Sequence, residues 1–202
     1  MATKNPHKKE RFEHYLKDLG ILVVSFVDIA QPIEAIEDGK TPEENALKKA
    51  LAGYKETGKS TFGVDYWFYI EGIPEEIQPG PFVRRIFSGG GRDRREATDE
   101  EMLDYYTGLV DRVGGKTKGL WTSAIALVTA PNNFFTERFT RETALTSKRS
   151  PRITEGEPLN SIQIDPKSGK YFTDLTKEEW LTLQAERERG YIEFIKSHLE
   201  EI

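Results

Sequence analysis

The first eight residues combine side chains that bind anions with a pattern that begins a helix. Thr3 and Asn5 supply a hydroxyl and an amide, Pro6 suits the first helical position, and Lys8 carries an ammonium group. Because the first N–H groups of a helix have no partners within it and carry partial positive charge, such an end can bind phosphate. The same pattern is typical of a capped surface helix with solvated lysines, so these residues alone leave both interpretations open.

Two carboxylates further along the chain could hold a cation beside such a phosphate. Mg²⁺ needs only a few carboxylates, together with water and substrate oxygens. Glu44 follows Thr41 at the spacing of a capping box, which stabilises a helix without any ligand. Asp65 lies within an apolar run, where a lone carboxylate is costly and must be paired or emerge at a strand end. Asp65 is therefore the stronger site candidate, and Glu44 has two competing interpretations.

The order of these motifs resembles the inosine triphosphate pyrophosphatase family. Residues 2–8 read Ala-Thr-x-Asn-x-x-Lys, residues 41–50 read Thr-x-x-Glu-Asn-Ala-x-x-Lys-Ala, and residues 79–85 read Pro-Gly-x-x-x-x-Arg. Residues 168–170, Ser-Gly-Lys, resemble the last strand-to-helix connection of the family. The resemblance spans nearly the whole chain. It implies hydrolysis of non-standard purine nucleoside triphosphates to a nucleoside monophosphate and pyrophosphate.

The resemblance also implies a role for each candidate residue. Glu44 and Asp65 would hold Mg²⁺, with Mn²⁺ as the alternative ion, and Asp65 would also activate the attacking water. If the alignment of this strand is off by one residue, Glu71 becomes the catalytic base, because residues 69–72 resemble a sister branch of inosine/xanthosine triphosphatases. The residues expected to bind substrate are Thr3, Asn5, Lys8, Lys49, Arg85 and Arg189.

Three features of the family are changed in this chain. The segment that packs an aromatic ring on the purine reads Gly-Glu-Pro-Leu-Asn-Ser at residues 156–161, without an aromatic residue. The Ser-His-Arg segment is absent, and Arg187 and Arg189 are its nearest counterparts. Family members have a strand ahead of the first motif, so we expect an N-terminally extended chain to be more stable and more active. The alternatives are an enzyme with altered base choice and a weakened relative that binds nucleotides or a protein partner without turnover.

The elements that must position these residues alternate between helical and strand patterns. Helices are predicted at residues 6–19, 41–57, 98–113 and from 176 onward, and strands at residues 21–27, 61–70, 82–87, 120–129, 134–146 and near 162–164. This order favours an α/β fold with a mixed β-sheet flanked by helices in one domain, residues 1–202. The resemblance further implies an elongated sheet and two lobes with the nucleotide in a central groove.

Composition excludes several classes of protein. The net charge of −5 argues against a nucleic-acid binder, because affinity for a phosphate backbone needs an excess of Lys and Arg. The chain has no cysteine, which agrees with a reducing cytoplasm. The longest apolar run, residues 21–27, is too short to span a bilayer, so no membrane partner is expected. The expected partner is a nucleoside triphosphate, and the resemblance implies a homodimer.

Overall fold

Helices and strands alternate along the part of the chain that the structure, a computed structural model, describes: residues 1–4, 6–29, 33–87 and 95–202. The α-helices there are α1 (Pro6–Leu16), α2 (Pro42–Thr57), α3 (Asp99–Arg112) and α4 (Lys177–Ser197). The strands there are β1 (Thr61–Ile70), β2 (Lys116–Ala130), β3 (Asn133–Thr146) and β4 (Gln163–Ile164). They form one sheet in the order β1-β2-β3-β4, in which β3 and β4 are antiparallel. The predicted α/β class with a sheet and helices is confirmed.

The strand predicted at residues 21–27 is wrong. No residue of this run is assigned to a strand, although two described backbone hydrogen bonds join it to the first residues of the chain. The Met1 nitrogen donates to the Val24 carbonyl over 2.6 Å, and the Phe26 N–H donates to the Thr3 carbonyl over 3.0 Å. The chain then turns, because the Asp28 carboxylate accepts hydrogen bonds from the N–H and hydroxyl groups of Ser25. The apolar pattern predicted burial correctly at Val23, but it did not indicate that the run would lack the hydrogen bonds of a strand.

The strand predicted at residues 82–87 is also wrong. The Phe82 N–H donates to the Pro79 carbonyl and the Arg85 N–H donates to the Phe82 carbonyl, both over 2.9 Å. These bonds join residues three apart, which is the pattern of consecutive turns. The guanidinium of Arg84 binds Asp99 over 2.9 Å at the start of α3 and holds the turns in place. The β-branched residues Val83 and Ile86 pack against the core from a loop, whereas Phe82 and Phe87 are about half exposed, so composition alone misled the assignment.

The chain divides into two compact units. The first contains residues 1–66, 123–139 and 187–202, and the second contains residues 67–122 and 140–186. Whether they act as one domain stays a prediction. In the second unit, Leu103 and Tyr106 of α3 share a hydrophobic core with Phe68 of β1 and with Ile162, just before β4. All four residues are fully buried. None of the described helices is both long enough and apolar enough to cross a bilayer.

In the first unit, small residues let α2 lie very close to the sheet. Ala46 and Ala50 of α2 pack against Ala124, Ala126 and Val128 of β2, all fully buried. A Cβ atom at Gly63 of β1 would lie 2.6 Å from the Ala46 carbonyl oxygen, so only glycine fits there. This close approach brings the side chains on the inner face of α2 over the middle of β1.

Candidate active site

The start of α2 is fixed by the side chains that the capping pattern predicted. Thr41 Oγ1 accepts a hydrogen bond from the Glu44 N–H over 3.2 Å, and Glu44 Oε2 accepts one from the Lys40 N–H over 2.7 Å. Both bonds satisfy backbone donors at the helix entry. Glu44, although exposed, therefore already has a structural role at the start of the helix. Its predicted role as a ligand for Mg²⁺ stays a prediction.

Asp65 lies in the middle of β1, and its side chain is only 7% exposed. The Lys49 ammonium lies 2.5 Å from Asp65 Oδ1, and the Asn45 amide donates a hydrogen bond to Oδ2 over 3.3 Å. Asn45 and Lys49 are four residues apart on α2, so they share one face of the helix. The pairing that a buried carboxylate requires is therefore supplied by two adjacent turns of α2.

The segment before α2 adds a second carboxylate to this ammonium group. Glu37 Oε2 lies 3.3 Å from the Lys49 nitrogen. The segment is held in place by Asn45, whose Oδ1 accepts a hydrogen bond from the Gly39 N–H over 2.8 Å. A Cβ atom at Gly39 would lie 2.6 Å from that same oxygen, which explains the glycine. Sequence reasoning missed Asn45 and Glu37, although Asn45 stands inside the Glu-Asn-Ala motif that carried the resemblance.

Lys8 of α1 belongs to the same charged cluster. Burial, and then the positive charges of Lys49 and Arg11, together lower the pKa of Lys8 to about 8, although the carboxylates of Asp65 and Glu37 act in the opposite direction. The Lys8 ammonium lies 4.6 Å from the centre of the Tyr66 ring. The structure thus brings together Lys8, Lys49 and Asp65, three of the predicted site residues, whose roles stay a prediction.

Beneath Tyr66 lies a buried polar network that joins α1 and α4 to the sheet. Arg11 Nε lies 3.2 Å from Glu188 Oε1, and the Glu188 side chain is only 5% exposed. The Tyr191 hydroxyl donates a hydrogen bond to Ser123 Oγ over 2.6 Å. Burial, and then the nearby Tyr191 and Glu188, raise the pKa of Tyr66 well above its usual value, so this phenol stays neutral. The network therefore supports the aromatic surface on which Lys8 rests.

The other predicted site residues lie elsewhere or outside the description. Thr3 is half-buried and its carbonyl accepts the hydrogen bond from Phe26, whereas Asn5 lies outside the described residues. Glu71 is exposed in the turn after β1, within the second unit. Arg85 belongs to that unit too, with its guanidinium 5.7 Å from the Phe82 ring centre. Arg189 is exposed on α4.

The residues present fit a divalent cation that is bound mainly by water and substrate. Among the described residues, no three acidic or histidine side chains converge as a complete metal site would require. Each Asp65 oxygen accepts one of the described bonds, and a carboxylate oxygen can accept more than one. Mg²⁺ commonly takes one or two carboxylates and completes its shell with water and phosphate oxygens. Asp65 can therefore contribute to such a site without losing its contacts to α2.

The chain is similar to proteins of one known family. Residues 1–183 match the model of the Ham1 family. A dITP/XTP pyrophosphatase of Desulfotalea psychrophila is 31% identical over 55% of this chain, a match that spans about half (48%) of the relative's length. A dITP/XTP pyrophosphatase of a Thermoanaerobacter species is 28% identical over 89% of this chain and 85% of its own.

A solved structure shows that the fold is shared as well. The structure of a HAM1 protein from Coxiella burnetii superposes with a TM-score of 0.75 at 22% identity, and covers 99% of this chain and 96% of that one. The family that the ordered motifs predicted is therefore confirmed, and the cluster of Lys8, Lys49 and Asp65 lies within the matched residues. On its motifs, its fold and its match over most of its length, this chain belongs to the Ham1 family.

Proposed function

We propose that this protein hydrolyses non-standard purine nucleoside triphosphates to a nucleoside monophosphate and pyrophosphate in the presence of Mg²⁺. The observation that carries the proposal is the pairing of Lys49 with buried Asp65, next to Lys8, in a chain whose relatives are named dITP/XTP pyrophosphatases. Cleavage of a phosphoanhydride requires neutralisation of the polyphosphate charge and an oriented, deprotonated water. The ammonium groups of Lys8 and Lys49 can neutralise phosphate charge, and the Asp65 carboxylate can orient and deprotonate water.

The residues of the cluster divide this work between them. Lys8 and Lys49 bind phosphate oxygens and offset their charge. Asp65 orients the attacking water and accepts its proton, as the bond between the α-phosphorus and the bridging oxygen breaks and pyrophosphate leaves. Mg²⁺, held by Asp65 and Glu44, would stabilise the charge that develops on the phosphate oxygens. Asn45 keeps the Asp65 carboxylate in place during these steps, because its amide contacts Oδ2.

Base recognition is proposed to differ from that of the family. The segment at residues 156–161 lacks the aromatic residue, and its Leu159, Asn160 and Ser161 are buried inside the second unit. The Gly156 N–H donates to an Asp99 carboxylate oxygen over 2.8 Å, which ties this segment to α3. Side chains fixed in this way are unavailable for stacking on a purine. We therefore expect the base to be bound less tightly than stacking on an aromatic side chain would bind it.

The proposal is tested by pyrophosphate release from ITP, dITP, XTP, dUTP and the common nucleoside triphosphates, with and without Mg²⁺. Release from the inosine and xanthosine nucleotides only with Mg²⁺ would support the proposed enzyme. Binding of these nucleotides without any release would identify the weakened relative, which the missing aromatic residue favours. Preferred release from dUTP or a common nucleotide would disprove the proposed selectivity for non-standard purines.

The low pKa of Lys8 predicts a fall in kcat/KM as the pH rises through about 8. Lys8 carries its positive charge below this pH and loses it above, and the pH dependence of kcat/KM reports the free enzyme. In Lys8→Arg the guanidinium stays charged throughout this range, so the fall should shift to higher pH or disappear. The measurement is kcat/KM for dITP in both proteins across that pH range. Because the substrate titrates equally in both, an identical fall in the two profiles would assign it to another group.

A further inference from the structure

Four consecutive residues before α2, residues 37–40, each contact a residue of α2, and their partners follow in reverse order. The pairs are Glu37 with Lys49 (3.3 Å), Asp38 with Lys48 (2.5 Å), Gly39 with Asn45 (2.8 Å) and Lys40 with Glu44 (2.7 Å). The segment therefore runs back along the first turns of the helix. Its two inner bonds use backbone N–H groups, whereas its two outer contacts are ion pairs between side chains.

The outermost contact lies at the candidate active site. Lys49 is shared by two carboxylates, Asp65 at 2.5 Å and Glu37 at 3.3 Å. With Lys8 and Lys49 protonated and both carboxylates ionised, the charges of these four groups cancel. A polyphosphate that approaches the cluster therefore meets no net positive charge from it, unless one carboxylate withdraws.

Of the two carboxylates, Glu37 is the one that can withdraw. Its side chain is 33% exposed and its contact with Lys49 is the longer one, whereas Asp65 is 7% exposed in the middle of a strand. Asp65 is also held by the Asn45 amide. A glutamate side chain has several rotatable bonds and can move its carboxylate into water without any change in the sheet.

We propose that the Glu37 carboxylate occupies the position of a substrate phosphate oxygen at Lys49, and that a bound polyphosphate displaces it. This inference rests on the proposed function of the same cluster. The exchange breaks no covalent bond: Lys49 gives up one oxyanion and accepts another, while it keeps its contact with Asp65. In the absence of substrate Glu37 keeps the Lys49 ammonium group paired, and it weakens the binding of any anion that must replace it.

The test compares Glu37→Gln with Asp38→Asn, a matched control that removes the same charge from the neighbouring residue. The probe is inorganic pyrophosphate, titrated calorimetrically without metal at about pH 6.5, where Lys8 remains protonated. Loss of one partly exposed competing ion pair should lower the dissociation constant about threefold to fivefold in Glu37→Gln. Asp38→Asn should change it less than about twofold, because the Asp38 partner, Lys48, makes no described contact with Asp65.

A second variant and a second condition make the result decisive. Glu37→Ala, which removes the whole carboxylate, should tighten pyrophosphate binding at least as much as Glu37→Gln. Unchanged or weaker binding in both variants would overturn the proposal. The second condition is the same titration with Mg²⁺ present: weaker binding of the variants only under this condition would also overturn the proposal, since it would make Glu37 a metal ligand. Because calorimetry does not depend on turnover, an inactive wild-type protein would refute the proposed function while leaving this measurement intact.

Discussion

Asp65→Asn is expected to lower kcat for pyrophosphate release by about a hundredfold or more, the usual loss on removal of a general base. Asparagine keeps the size and shape of the side chain, but it cannot accept a proton from water and binds a divalent cation weakly. The fold should persist, because Lys49 retains Glu37 at 3.3 Å and Asn45 retains its bond to Gly39. The measurements are kcat for dITP at saturating Mg²⁺ and the melting temperature of both proteins.

Two further variants give this result its meaning. Asp38→Asn removes the same charge from an exposed side chain that pairs with Lys48, and should leave kcat unchanged. Glu71→Gln tests the alternative alignment of β1, in which Glu71 is the base. If Glu71→Gln abolishes turnover while Asp65→Asn retains it, the assignment of Asp65 is wrong and the sister branch of triphosphatases becomes the better comparison.

The contacts of Asp65 show which part of the site could be predicted from sequence. The cost of burying a lone carboxylate predicted that Asp65 must be paired, and the motif order singled out Lys49. That Lys49 is the partner depends on the close approach of α2 to β1, which Gly63 and the alanines of α2 permit. Small residues are common in helices and strands alike, so their joint effect is visible only in three dimensions. The role of Glu37 was hidden for the same reason, since it depends on the path of residues 37–40 along α2.

The fold shows a similar division between local and distant causes. The starts of α2 and α3 were predicted well because their caps, Thr41 and Thr98, act within three residues of sequence. The strands assigned to residues 21–27 and 82–87 failed because apolar and β-branched residues indicate burial, whereas a strand also needs a neighbouring chain to pair with. In both regions the backbone forms turns fixed by side chains, Asp28 in one case and Arg84 in the other.

Glu188→Ala is expected to destabilise the protein by about 3 kcal/mol, which corresponds to a fall of roughly 10 °C in melting temperature for a chain of this size. The variant removes the buried carboxylate that lies 3.2 Å from the Arg11 guanidinium. The guanidinium keeps its charge, and the cost of holding it partly out of water is no longer offset by this carboxylate. Thermal and urea unfolding of wild type and variant provide the measurement. The neighbouring exposed pair supplies a control: Glu186→Ala removes a contact of 2.7 Å to Lys167 but should change stability by less than about 1 kcal/mol, because water already screens those charges.

The double variant Arg11→Met with Glu188→Leu separates the two ways in which this ion pair could act. If the loss in Glu188→Ala arises from an uncompensated charge, replacing both groups with apolar side chains should restore most of the stability, because no buried charge then remains. Turnover of the double variant should nevertheless be lower than that of the wild type, since Tyr66, which lies against this network, supports Lys8 at 4.6 Å. Recovery of stability together with full activity would show that the network contributes to folding alone. If stability is not recovered, the attraction between Arg11 and Glu188 must itself stabilise the packing of α1 against α4.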